Sequence, residues 1–298
     1  MALPSYATPV QRTYYYFYLF FCAAVFFFLI APLFAIIPIS FSVSPFMVFT
    51  EGMLAWPPEP EAWSIRWYKN MIGDCSADVV SSTVPCSTKW MVGTVNSFYI
   101  GIIATVIATA LGTLAALGLS RPHMPYKGLI MAILISPMIV PLIITAAGMF
   151  FFYARINLVY TFTGVILAHV ALATPFVVIT VTATLVGFDM NMVKAAQSLG
   201  AKPLRTFFKV IMPLILPGII SGALFAFITS FDEVVIVMFM ASIDQLTIPK
   251  QMWAGIRQEI SPVILCMATC LVLLSIFLLT TVELLRRRSE KLRGIKAR

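Results

Sequence analysis

The stretch VKAAQSLGAKPLRTFFKVIMPLILPGII, Val193–Ile220, interrupts a very apolar chain with four cations, Lys194, Lys202, Arg205 and Lys209. It is too polar to cross a bilayer and too regular to be a slack linker. Asp189 is placed to cap a helix that starts at Met190, and Gly200 to end that helix in a left-handed turn. Pro203 suits the first turn of a second short helix, Pro203–Lys209, because its missing N–H is not needed there. Pro213 and Pro217 mark where the next apolar run begins. The stretch therefore predicts a helix, a glycine-centred turn and a second helix at a membrane face, with Lys202, Arg205 and Lys209 keeping it out of the bilayer. Two roles fit such an element: an ordered knob that docks on something soluble, or an interfacial helix resting on headgroups.

The rest of the chain supplies the membrane. Of its 298 residues 60% are hydrophobic and only 11% charged, with a mean hydropathy of +0.97, which excludes an ordinary soluble domain. A transmembrane β-barrel would show segments of about ten residues with alternating polarity, and that pattern is absent. The fold class is therefore all-α and integral to the membrane, with six transmembrane helices expected at roughly Phe17–Ile39, Val95–Leu119, Gly128–Phe152, Phe162–Val186, Pro213–Met240 and Pro262–Val282. Each run has about the twenty residues a crossing needs, or a little more. The first is too long for a signal-peptide core and lacks a small-residue cleavage site, so it reads as an uncleaved anchor. The expected organisation is one transmembrane domain over 1–298. It comprises an anchor span at 17–39, an outer loop at 40–94, a core over 95–282 containing a cytoplasmic loop at 187–212, and a basic tail at 283–298.

Six crossings put both termini on one side, and the cations say which. The terminal side holds Arg12, Arg121, Lys127, the four cations of the opening stretch, and Arg286, Arg287, Arg288, Lys291, Arg293, Lys296 and Arg298 of the tail. The other side holds Arg66, Lys69, Lys89, Arg155, Lys250 and Arg257. The excess places both termini in the cytoplasm. The net charge of +8 is thus a topology signal, and the tail a lipid-touching anchor rather than a nucleic-acid site.

Catalytic chemistry is sparse. There is no phosphate-binding G-x-x-x-x-G-K-[ST], no H-E-x-x-H and no G-x-S-x-G. The two histidines, His123 and His169, have no metal-binding partners nearby in sequence, so no metal site is expected. His169 lies within an apolar run and reads as a helix–helix hydrogen-bonding residue. Cys75 and Cys86 lie in the outer loop. An oxidising compartment would allow them a disulfide contributing on the order of 2–3 kcal/mol, and two free thiols fit equally well. Cys22, Cys266 and Cys270 read as packing residues within spans.

Asp232 and Glu233 are the costly residues, because carboxylates inside a span mark function. On a continuous helix Gly222, Ala226, Thr229, Ser230, Glu233 and Val237 share one face, and Asp232 points about 80° away. That face either packs tightly against another helix or borders a wet pathway, with Glu233 foremost among Glu233, Asp232, Thr229 and Ser230.

KAAQSLGAKPLRTFFKVIMP, Lys194–Pro213, resembles the loop of ABC importer permeases, E-A-A, three residues, G, nine residues, I-x-L-P. Ala195, Ala196, Gly200 and Pro213 match in register. Val210 stands for the Ile and Met212 for the Leu, while Lys194 reverses the charge of the usual Glu. NSFYIGIIATVIATALGTLAALGLSR (Asn96–Arg121), SPMIVPLIITAAGMF (Ser136–Phe150), TGVILAHVALATPFVVITVTATL (Thr163–Leu185) and LILPGIISGALFAFITSFDEVV (Leu214–Val235) look like spans of the same permeases.

The resemblance implies a type I importer permease fold with no enzymatic activity and no cofactor of its own. Its partners would be a second permease, two ATPase subunits that bind ATP and Mg²⁺, and an extracytoplasmic solute-binding protein, all at a bacterial inner membrane. It assigns Lys194, Ala195, Ala196, Gly200, Lys202, Arg205 and Pro213 to the element that couples to an ATPase subunit. SFDE (Ser230–Glu233) and LTIPKQMWAGIRQEISP (Leu246–Pro262) most resemble the spermidine/putrescine branch, implying a polyamine solute. The alternatives are another small solute, such as an amino-acid derivative or a metal ion, or a membrane-embedded enzyme. A stand-alone secondary transporter would show internal repeats, and none is evident.

Overall fold

The computed structural model describes residues 8–74, 88–121, 123–186, 188–189, 191–258 and 260–292, without the side chains of 282 and 285–292. Met190, Cys75, Cys86 and the tail residues Arg293, Lys296 and Arg298 lie outside the described residues. Among the described residues the chain is helical, with one isolated bridge between Ser42 and Trp63. The helices are α1 (Pro9–Ile39), α2 (Glu51–Leu54), α3 (Arg66–Met71), α4 (Lys89–Leu119), α5 (Lys127–Ile139), α6 (Leu142–Arg155) and α7 (Phe162–Val186). They continue as α8 (Asn191–Ser198), α9 (Pro203–Thr206), α10 (Met212–Phe231), α11 (Val235–Met240), α12 (Ile248–Gln258) and α13 (Val263–Leu292).

Among the described residues five helices are long and apolar enough to cross a membrane, and α5 with α6 make a sixth crossing if that bent pair is one span. α7 keeps the predicted bounds because Thr161 caps it, its hydroxyl accepting from the Gly164 N–H at 3.0 Å. α1 begins earlier than predicted. Thr8 and Gln11 form a capping box there, and Pro9 occupies the first turn.

Two predicted spans are not single helices. The run Gly128–Phe152 divides into α5 and α6, which meet at 103°. Pro141 drives the preceding Val140 to an extended conformation, φ −70° and ψ 134°, where a helix cannot continue. The run Pro213–Met240 also divides: α10 ends at Phe231 and α11 begins at Val235.

The chain divides into two compact units, Met1–Ser87 with Glu259–Ser275, and Thr88–Gln258 with Ile276–Arg298. In the first, no residue of α1 is buried. Trp67 of α3 is fully buried and donates its indole N–H to the Ser42 carbonyl at 2.9 Å. The Ser40 hydroxyl meets the Tyr68 hydroxyl at 2.7 Å, and the Cys266 thiol donates to the Ser40 carbonyl at 3.3 Å.

The second unit is built on α4, α7 and α10, each packed on the other two. Its core joins Ile100, Ala104, Ala108 and Ala116 of α4 to Val165, Ala168, Ala173, Val177 and Val181 of α7 and Ile215 and Ala226 of α10. Lipid offers no hydrophobic drive for this association, so small residues bring the backbones together. A Cβ built on Gly222 of α10 would stand 3.0 Å from the Val177 Cα. Three α7 hydroxyls are satisfied locally: Thr174, Thr180 and Thr184 donate to the carbonyls of Val170, Phe176 and Thr180.

Candidate functional site

The element that opened the sequence reading is a helix–turn–helix. The Asp189 carboxylate accepts from the Asn191 N–H at 2.9 Å and caps α8. Gly200 has φ +80°, its N–H donates to the Gln197 carbonyl, and the Ala201 N–H reaches the Ala196 carbonyl at 3.0 Å. Those two bonds form a Schellman turn, which a left-handed glycine permits. Pro203 opens α9, and the buried Thr206 ties its hydroxyl to the Lys202 carbonyl.

The second helix does not stop at Lys209 as predicted. Phe207–Ile211 forms a π-helical turn that runs directly into α10, giving one helical rod from Pro203 to Phe231. A proline ring crowds the carbonyl four residues before it, here that of Lys209, and the wider turn accommodates Pro213. Lys194, Ala195, Gly200, Lys202, Arg205 and Pro213 are exposed, and Ala196 is half-buried. Leu199 is 89% and Leu204 74% exposed, so large apolar side chains stand among the cations.

The second candidate region lies at the other end of that rod. Asp232, at φ −90° and ψ 0°, closes α10 with its N–H on the Ile228 carbonyl. Glu233 then turns its carboxylate onto the next helix, accepting from the Ile236 N–H at 2.8 Å. It is 6% exposed, whereas Asp232 is exposed. The helical face predicted to run from Gly222 to Val237 therefore stops at Ser230, because a side-chain cap replaces the backbone ladder at Glu233. Gly222, Ala226 and Ser230 are buried, and Thr229 is half-buried.

His169 of α7 joins this region. Its Nδ1 lies 2.8 Å from the Ser230 hydroxyl. Phe98 of α4 packs on Phe231 and Phe227 of α10 at ring-centroid distances of 5.2 and 6.4 Å. Beyond α11, the connection to α12 is strapped onto the start of α4. The Asn96 amide donates to the Asp244 and Leu246 carbonyls, and the Ser97 hydroxyl accepts from the Ile248 N–H. Lys250 donates to the Ala241 carbonyl at 2.8 Å, and partial burial lowers its ammonium from the usual range. The sequence reading did not identify the strap; two adjacent polar residues opening an apolar run were its signal.

Over residues 108–291 the chain matches the family described as binding-protein-dependent transport system inner membrane component. The chain belongs to that family. It is an importer permease that crosses the inner membrane several times. The spermidine/putrescine transport system permease protein PotC of Haemophilus influenzae is 30% identical over 196 residues, covering 66% of this chain and 76% of that protein. The putrescine transport system permease protein PotI of Escherichia coli is 29% identical over 249 residues, covering 81% of this chain and 80% of that one. A crystal structure of a bacterial ABC transporter involved in the import of the acidic polysaccharide alginate shares the fold. Its TM-score is 0.72 at 14% identity, over 94% of this chain and 99% of that chain.

Proposed function

We propose that this permease moves a small polyamine, of the putrescine or spermidine kind, inward across a bacterial inner membrane, paired with a second permease. The names of its relatives support the solute class, and the carboxylates beyond α10 are chemically suited to a cation. An extracytoplasmic binding protein would deliver the amine. ATP and Mg²⁺ would be bound by two ATPase subunits in the cytoplasm, where both termini of this chain also lie.

The observation that carries this reading is the rod from Pro203 to Phe231. At one end stands an exposed, turn-locked pair of helices with Leu199 and Leu204 projecting. At the other end the backbone breaks beside Asp232 and Glu233. A rod of that length spans roughly 40 Å at 1.5 Å per residue, so displacement at the docked end reaches the break without an intervening hinge loop. The two permeases together enclose the pathway, and tilting their rods changes the side to which it opens.

The test is reconstitution of the permease pair with its ATPase and binding protein in lipid vesicles, with labelled putrescine and spermidine outside. ATP-dependent accumulation of either amine is expected. Accumulation of neither, by a complex that hydrolyses ATP, sinks the solute assignment.

A further inference from the structure

We infer that α12 lies flat on the membrane surface and docks there on phospholipid, with Trp253 and Ile256 in the upper acyl region and Arg257 on lipid phosphate. This holds whatever solute the permease carries. The helix reads IPKQMWAGIRQ, Ile248–Gln258. At 100° per residue Ile248, Met252, Trp253 and Ile256 fall on one side, and Lys250, Ala254 and Gln258 on the other. The cover on the apolar side runs out along the helix: Ile248 is buried, Met252 half-buried, and Trp253 and Ile256 exposed.

Both ends of α12 are fixed at the level where spans begin. Its Ile248 N–H donates to the Ser97 hydroxyl at 2.9 Å, and Ser97 stands at the start of the apolar run of α4. At the other end the chain enters the spanning helix α13 at Val263. With α5 and α6 counted as one span, α4, that pair, α7 and α10 all cross between these two points. The start of α4 and the start of α13 therefore lie at one face of the bilayer, opposite α8 and α9. An α-helix of 11 residues is roughly 16 Å long. Tied at both ends to one surface, it runs along that surface, and an amphipathic helix in that position buries its apolar side at the boundary of headgroups and acyl chains.

The exposed side chains have the chemistry of that boundary. Tryptophan is enriched there because its ring is apolar and its N–H polar. Arg257 sits on the border between the two sides of the helix, its guanidinium 5.9 Å from the Trp253 ring centroid. Its stem can lie along apolar surface while the head reaches phosphate. Lys250, the other cation of the helix, is already engaged by the Ala241 carbonyl, so Arg257 is the one that meets the lipid. A second permease or a binding protein seated on the same side would exclude lipid and water alike.

Nitroxide labels separate these cases. Single cysteines along α12, in a background whose native cysteines are replaced, carry the label in the complete complex, reconstituted in vesicles of phosphatidylethanolamine and phosphatidylglycerol. Collision with molecular oxygen, which concentrates among acyl chains, is compared with collision with a water-soluble nickel chelate. Labels at Trp253→Cys and Ile256→Cys should favour oxygen, and labels at Ala254→Cys and Gln258→Cys the chelate, the oxygen-to-chelate ratio differing by about threefold or more between the two sides of a helix lying in the interface. Arg257→Glu should at least halve the oxygen preference at the Ile256→Cys label, and Arg257→Lys should keep it. Low access to both reagents at positions 253 and 256 means protein cover and overturns the assignment. Chelate preference at all four positions means that the helix stands off in water, and overturns it equally. An oxygen preference indifferent to Arg257→Glu overturns the phosphate contact.

Discussion

The His169 ring and the Ser230 hydroxyl, 2.8 Å apart, join α7 to α10 two residues before the helix break at Asp232. His169 is 1% exposed, and its other nitrogen, Nε2, has no partner among the described residues. A bare lone pair is easier to bury than an orphan N–H, so Nδ1 carries the proton and donates to Ser230.

The two partners should respond unequally to truncation. In His169→Leu the freed serine hydroxyl turns back to the carbonyl of Ala226 in its own helix. We expect a small loss, about 0.6 kcal/mol, typical of interhelical bonds in membranes. Ser230→Ala strands a buried donor as well and should cost about 1–3 kcal/mol. Thermal melting of the purified complex in detergent orders the two. His169→Leu melting lower than Ser230→Ala would contradict the tautomer and the pairing.

Close approach of α7 and α10 makes a second expectation. A side chain at Gly222 meets the Val177 backbone, which cannot move aside cheaply. Gly222→Val should destabilise by about 1–3 kcal/mol through overpacking and reduce the amount of complex in the membrane. Gly118 of α4 has nothing within 4 Å of a built Cβ. Gly118→Ala should leave the complex intact or stabilise it slightly, since alanine is the better helix former. Equal losses from both substitutions would show that the interface does not discriminate as drawn.

What the sequence revealed and what it hid follow from how local each feature is. The capped α8 and its glycine stop depend on Asp189, Gly200 and Ala201, all within one short stretch, and were readable there. The bounds of α7 were equally local, resting on Thr161. The break after Phe231 was not readable, because VVIVMFM continues the apolar run and only the fold turns the Glu233 carboxylate onto the Ile236 N–H. The bend between α5 and α6 did leave a trace, in Pro137 and Pro141, but hydropathy alone merges the two helices.

Orientation is testable with two introduced cysteines in a background whose native cysteines are replaced. Trp56 is 95% exposed in the segment expected to lie outside, and Leu199 is nearly as exposed beside Gly200. A membrane-impermeant thiol reagent on intact spheroplasts should label Trp56→Cys and leave Leu199→Cys untouched until the membrane is opened. The reverse order would invert the topology read from the cations.

The Gly200 turn offers the sharpest test of the docking element. Its φ of +80° is open to glycine, costly for alanine, tolerated by asparagine and badly strained for a β-branched residue. No neighbour lies within 4 Å of a built Cβ there, so backbone strain rather than collision decides the outcome. Gly200→Val should displace α8 from α9 while leaving the α4–α7–α10 core untouched. The complex should still reach the membrane, but uptake should fall to near zero. Gly200→Ala pays about 1–2 kcal/mol for the left-handed conformation and should transport at an intermediate rate. Gly200→Asn should retain most of the uptake. This ranking, asparagine above alanine above valine, tracks turn strain and not side-chain volume, since asparagine is the bulkier of the first two. Normal uptake in Gly200→Val would remove the coupling role. A membrane level that falls in step with uptake across the series would make the turn a folding element instead.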